Sequence, residues 1–274
     1  MDWIDIMRMD NDEEKTIAVY DKIYEETRLN VSNSTSIEFF TTTKYIEQII
    51  GNGCSILELG AGTGAYSLYL ARKGYHVTAV ELSERNISVL KSNMSKDTPI
   101  EVIKGNALDL NFISDKSFDA VLLFGPLYHL TSKEDKIQCL KESLRVLKDD
   151  GYIFISLINN DMVPMCEMKY QKDYFVSNCF NHESFIMDNF PYVFHTLEDS
   201  RNLLDESNVS IIKEIASDGL SRICSDEIDK LDEKNLEEYK RFHLYMCEKP
   251  SFLSASSHFL FIGKKLIYNC MLVK

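Results

Sequence analysis

From Ser55 onward the chain alternates short apolar runs with segments whose apolar residues recur every three or four positions. Ser55-Ile56-Leu57-Glu58-Leu59 predicts a first strand that ends in a glycine cluster, and Ala65 to Lys73 predicts a helix stopped by Gly74. His76 to Val80 is the next β-rich run. Glu81 ends it, and Ser83 is placed to cap a helix over Glu84 to Met94. Ile100 to Ile103 and Phe118 to Phe124 predict two more strands. Between Lys133 and Lys148, the apolar residues Ile137, Leu140, Leu144 and Leu147 are spaced 3, 4 and 3, the stripe of a helix lying on a sheet. Gly151 then releases the chain into a strand over Tyr152 to Ile158. Further on, Leu197 to Glu206 predicts a helix, Val209 to Ile215 a strand and Ser257 to Gly263 a final strand. Strands and helices alternating through short joins predict an α/β fold, a doubly wound and mostly parallel sheet.

The flanks read differently. Glu13 to Leu29 places Ile17, Tyr20, Tyr24 and Leu29 on one helix face, and Ile37 to Ile50 predicts a second helix. The stretch Asn159 to Pro191 is rich in Met, Phe, Asn and Cys and has no clear period. Asp226 to Arg241 is strongly charged around Ile228, Leu231, Leu236 and Tyr239, the pattern of a solvated helix. The expected organisation is an N-terminal helical cap over 1–52 and a core over 53–274, with insertions at about 159–195 and 220–250. An insertion at the carboxyl end of a parallel strand borders a ligand crevice. The methionines and phenylalanines from Met162 to Phe190 are therefore expected to form an adaptable lid or pocket wall, although packing onto the sheet is the plainer role.

Composition narrows the partners. Hydrophobic residues make up 45% and charged ones 27%, enough apolar material for a real core. Forty-three acids against thirty bases leave a formal charge of −13, which repels phosphate backbones and anionic membranes. No apolar run reaches the roughly 20 residues of a membrane span, and the first residues lack a secretory pattern. A cytoplasmic protein that binds neither nucleic acid nor membrane is expected, as a monomer or homodimer. The seven cysteines (54, 139, 166, 179, 224, 247 and 270) contain no CxxC pair, so neither a disulfide framework nor a metal site is indicated.

Candidate chemistry begins at Leu57-Glu58-Leu59-Gly60-Ala61-Gly62-Thr63-Gly64. Glycines at alternate positions between a strand and a helix let the backbone approach a ligand and expose the helix's first amides. Glu81 follows 21 residues after Gly60, at the end of the second strand, where a carboxylate can accept both hydroxyl hydrogens of a ribose. Gly60, Gly62 and Ala65 also satisfy the dinucleotide pattern GxGxxG/A, which keeps a nicotinamide-dependent oxidoreductase in play. Against it stand the roughly fifty residues before the loop and the absence of a second nucleotide-binding half. Glu58 weighs the same way: it would set a negative charge beside a pyrophosphate, but it suits a cationic sulfonium-bearing ligand.

Over Ser55 to Ile158 the chain resembles the class I S-adenosylmethionine-dependent methyltransferases. The resemblance rests on the Leu57 to Gly64 loop, Glu81, Gly105-Asn106-Ala107, the fourth-strand run from Phe118 to Leu130, and Leu144-Arg145-Val146-Leu147-Lys148 with Gly151. Its most specific piece, Gly125-Pro126-Leu127-Tyr128-His129-Leu130, is similar to a bacterial small-molecule branch. The resemblance implies a Rossmann-like seven-stranded sheet and S-adenosylmethionine as cofactor, with S-adenosylhomocysteine as product. It implies that Gly60, Ala61, Gly62 and Gly64 shape the cofactor loop, with Glu58 near the methionine ammonium. Glu81 would bind the ribose, Leu82 would lie against the adenine, and Phe124 would sit beside the sulfonium. Ala107 would offer its amide to the ring. Asn106 stands where the family has Asp, and its side-chain carbonyl can still accept from the adenine amino group. Tyr20 and Arg28 would reach the cofactor carboxylate from the cap, with Tyr24 a weaker candidate.

The implied activity is methyl transfer to a small-molecule acceptor. His129 and Tyr128 are the candidate catalytic residues, His129 as a general base near neutral pH or as a structural anchor of its loop. No base is required where the acceptor is already a neutral nucleophile, because proximity and orientation can suffice. The rival readings are a catalytically silent S-adenosylmethionine-binding regulator and the nicotinamide oxidoreductase.

Overall fold

The computed structural model describes residues 2–23, 28–97, 99–188 and 191–266. The strands are β1 (Ser55–Leu59), β2 (His76–Glu81), β3 (Glu101–Lys104), β4 (Phe118–Leu123), β5 (Leu147–Ile158), β6 (Val209–Ala216) and β7 (His258–Lys265). They form one seven-stranded sheet in the order β3-β2-β1-β4-β5-β7-β6. The pairs from β3 to β5 are parallel, whereas β7 runs antiparallel between β5 and β6. The Rossmann-like expectation is met, down to the number of strands.

Flanking them in chain order are α1 (Trp3–Met7), α2 (Asp12–Tyr20), α3 (Asn33–Ile49), α4 (Ala65–Arg72), α5 (Glu84–Asn93) and α6 (Lys133–Val146). There follow α7 (Val163–Glu167), α8 (Leu197–Glu206), α9 (Ser225–Ile228), α10 (Glu233–Met246) and α11 (Pro250–Leu253). The central strands are buried on both faces, which is why they read as near-continuous apolar runs. Ile56, Ala120, Leu122, Phe154, Leu260 and Ile262 face one core with residues of α3, α4 and α5. Leu57, Leu59, Val121, Leu123, Ile155 and Phe261 face the other, with residues of α6 and α8.

Four elements differ from expectation for local reasons. The helix expected over Glu13 to Leu29 ends at Tyr20, where Arg85 Nη1 donates to the carbonyls of Tyr20 (2.6 Å) and Ile23 (2.7 Å), groups that a longer helix would have used. α6 gives way at Leu147 because β5 starts there, pairing Leu147 with Phe118 before a register shift ahead of Ala120–Tyr152. Gly151 lies inside that strand, where a Cβ would stand 2.9 Å from the Asp119 carbonyl. The charged segment forms two helices, α9 and α10, the second opened by Asp232 accepting from the amide of Asn235. The first insertion packs on itself: Tyr174, Phe180 and Met187 form a small separate core, while Met165, Met168, Phe175 and Phe185 are exposed. Tyr24, Phe190 and Cys270 lie outside the described residues.

Candidate active site

The loops that follow β1, β2, β3 and β4 converge at the carboxyl edge of the sheet, where the strand order reverses between β1 and β4. They enclose a cavity of about 460 Å³. Its floor is the glycine loop. Gly60 has φ +70°, and a Cβ there would meet Pro126 Cδ at 2.8 Å, so the loop and the Gly125-Pro126 turn can pack this closely only without a side chain. Gly64, with φ +88°, opens α4 and sits where a Cβ would meet Leu90 Cγ at 2.7 Å. It shapes the loop from behind and does not line the cavity.

Every other described site residue singled out from the sequence lines this one cavity: Tyr20, Arg28, Glu58, Gly60, Ala61, Gly62, Glu81, Leu82, Asn106, Ala107, Phe124, Tyr128 and His129. Glu81 ties two loops together, accepting from the amide of Gly62 (2.7 Å) through one oxygen and of Ser83 (2.8 Å) through the other. Burial raises its pKa against those amide bonds. Glu58, only 2% exposed on β1, accepts from the Ser67 hydroxyl of α4. Burial outweighs that bond, and with the nearby Glu81 charge it pushes the Glu58 carboxyl up to about 8. The carboxyl is therefore mostly protonated at neutral pH.

The roof is the N-terminal cap. Asp12 accepts from the amide (2.6 Å) and hydroxyl (2.9 Å) of Thr131, and Glu13 accepts from Asn106 Nδ2 at 2.8 Å. Asn106 Oδ1 in turn accepts from the amide of Leu108 at 3.0 Å, closing the turn after β3. Tyr20 bonds His129 Nε2 at 2.9 Å. Asp10, Asp12, Glu13 and Thr16 thus line the cavity, as do Tyr66 and Asp135. None of these was a candidate from the sequence. The acids around Asn11 read as helix-capping residues, and only tertiary docking turns them inward; Tyr66, one turn past the glycines, carried a usable positional signal.

His129 is half-buried, and desolvation drives its pKa down to about 3, so the imidazole is neutral across the physiological range. With Nε2 already bonded to Tyr20, it is placed as an anchor between cap and loop rather than as a base titrating near pH 7. The Tyr128 hydroxyl donates to the Phe124 carbonyl and fastens the turn back onto β4. No described residue of the 159–195 insertion lines the cavity, so the expected lid role falls instead to the N-terminal segment.

Residues 57–155 match the family profile described as a methyltransferase domain. The chain is 35% identical over 154 residues to a demethylmenaquinone methyltransferase of Clavibacter sepedonicus, covering 56% of this chain and 59% of that protein. It is also 37% identical over 91 residues to a 23S rRNA (uracil(747)-C(5))-methyltransferase of Pyrococcus abyssi, covering 31% and 20%. The chain spans about half the length of the curated relatives it matches. A solved S-adenosylmethionine-dependent methyltransferase of Methanosarcina mazei shares the fold, with a TM-score of 0.53 at 20% identity over 81% of this chain and 97% of the other. Residues 57–155 of this chain are thus similar to a methyltransferase domain, set in a fold shared with a solved S-adenosylmethionine-dependent methyltransferase.

Proposed function

We propose that the chain transfers the methyl group of S-adenosylmethionine to a small-molecule acceptor and releases S-adenosylhomocysteine. The observation that carries this reading is the lining of the cavity: a glycine-rich loop, a buried carboxylate at the end of β2 and a second near the end of β1. That donor and acceptor set fits the cofactor. In this reading Glu81 takes the ribose diol, Leu82 and Ala107 meet the adenine, and Arg28 with Tyr20 meets the amino-acid end. Glu58, nearly neutral while the cavity lacks a cation, ionises towards an ammonium. Because Glu58 is mostly protonated in the free cavity, its charge does not by itself weigh against a dinucleotide.

When bound, the sulfonium supplies an activated methyl group that an acceptor lone pair takes in line, leaving a neutral thioether. The chain's own part is to exclude water and hold the reactants in register, a contribution worth several kcal/mol on its own. His129 takes no proton in this reading; it fixes Tyr20 over the cavity. A small acceptor is favoured over RNA because the cavity mouth carries Asp10, Asp12, Glu13 and Asp135.

Calorimetric titration with S-adenosylmethionine, S-adenosylhomocysteine and NADH tests the reading. Saturable binding of the two adenosyl ligands with NADH silent is expected; NADH binding with both adenosyl ligands silent would overturn it. Turnover separates an enzyme from a silent regulator. Release of S-adenosylhomocysteine in the presence of an acceptor pool of low molecular mass is expected.

A further inference from the structure

Behind Arg28, outside the cavity, lies a buried polar cluster drawn from three distant parts of the chain. Glu38 of α3 is 6% exposed, and Asp218, just past β6, is 1% exposed; His258 opens β7. Arg28 Nη1 donates to both oxygens of Glu38 at 3.2 Å. Glu38 Oε2 lies 3.8 Å from His258 Nδ1, which is 3.1 Å from Asp218 Oδ2.

Two carboxylates and an imidazole this close could be taken for metal ligands, since their ligand atoms lie within 4.8 Å of one another. The donor arrangement argues otherwise. Asp218 already accepts from the Ser256 hydroxyl (2.6 Å) and the His258 amide (3.1 Å) through one oxygen, and from the Ser257 hydroxyl and His258 Nδ1 through the other. Arg28 and Arg222, the latter 3.8 Å from Asp218, set a positive charge beside each of the two acids. Among the described residues of the cluster, Arg28 is the one that also lines the cavity.

Arg28 itself stands in a turn, with neither helix nor strand to fix its direction. A flexible side chain on such backbone gains its aim from what it is bonded to. Glu38 sits in a long helix, with His258 Nδ1 3.8 Å from its carboxylate and held in turn by Asp218, so it can supply that aim. A guanidinium has five N–H donors in a rigid fork, and Glu38 engages it through Nη1. We propose that Glu38 is a positioning residue, backed by His258 and Asp218, that directs Arg28 towards the carboxylate of the cofactor's amino-acid end. The inference rests on the cofactor reading above and adds the device that orients its carboxylate contact.

The test compares S-adenosylhomocysteine, which carries that carboxylate, with 5′-methylthioadenosine, which lacks the amino-acid end. Glu38→Gln is expected to weaken S-adenosylhomocysteine binding on the order of tenfold while leaving 5′-methylthioadenosine within about twofold, the scale of a charge-assisted hydrogen bond. Arg28→Ala should reproduce that split, and adding Glu38→Gln to it should cost nothing more. The proposal falls if Glu38→Gln weakens both ligands alike, leaves S-adenosylhomocysteine unchanged or tightens it, or still acts in the Arg28→Ala background. Should Glu38→Gln lose the cooperative melting of the wild type, Glu38→Asp, which keeps the charge one methylene further back, reads the same split. Wild-type protein that binds both ligands equally would overturn this inference alone. Wild-type protein silent to both would remove the cofactor reading and this inference with it.

Discussion

Glu58 holds a proton in the folded protein that the unfolded chain gives up above about pH 4.5, because its folded pKa lies near 8. Between those values the folded state binds more protons than the unfolded one, so this group costs stability progressively as pH rises from about 4.5 to about 8. Glu58→Gln should therefore raise the melting temperature of the ligand-free protein at pH 8.5, by roughly 2–5 °C, while weakening S-adenosylmethionine binding about tenfold. Differential scanning calorimetry and titration calorimetry read the two effects, and a lower melting temperature would contradict the assignment. At pH 7 the wild type should release a proton on binding, so the observed enthalpy should vary with the buffer's ionisation heat. His129 should leave no inflection between pH 5 and 8 in a rate profile, since it stays neutral above about 3. Gly60→Ala should cost about 2 kcal/mol and abolish cofactor binding, because its Cβ is driven onto Pro126 at a positive φ. At this scale Glu58, Glu81 and the glycines were legible, because adjacent strand and loop residues set their positions. The Ser67 hydroxyl that holds Glu58 was not, since nothing in a helical serine nine residues on marks the direction of its hydroxyl.

Among the elements, α2 shows what periodicity leaves out. Its apolar stripe announced a helix, but its length and its placement over the cavity depend on bonds to Thr131, Asn106, His129 and Arg85, residues 65 to 119 positions away. Arg85 receives no hint from its own sequence neighbourhood; it is an exposed-type residue in the first turn of α5 that happens to meet two carbonyls at the end of α2. Arg85→Ala should leave the sheet intact but free that end. Hydrogen exchange over residues 12–20 should speed up by about an order of magnitude, with β1 and β4 unaffected. Unchanged protection there would mean that the remaining bonds suffice to seat α2. The first insertion fails from the same cause in the opposite sense. Its methionines and aromatics suited a lid, yet Tyr174, Phe180 and Met187 form a separate small core and Met165, Met168, Phe175 and Phe185 stay exposed. Composition alone does not say which surface an irregular segment will choose.

Over the whole molecule, the −13 charge and the acids lining the cavity share a sign, with Arg28 the one Lys or Arg among the described lining residues. S-adenosylmethionine carries one more positive charge than S-adenosylhomocysteine, so raising salt from about 50 to 500 mM should weaken the first more than the second, by a few-fold. Equal salt slopes would show that the field of the cavity plays no part in discriminating substrate from product. The fold class was legible because a parallel sheet buried on both faces writes itself as apolar runs. The reversed β7 was not, because an isolated apolar run carries no direction. That strand follows β6 in the chain, yet it fills the gap between β5 and β6. During synthesis β6 leaves the ribosome some forty residues ahead of its partner and must wait with its backbone groups unpaired. The nascent chain can assemble β1 to β5 as it emerges, but the far third of the sheet can close only in one step, once Lys265 is free.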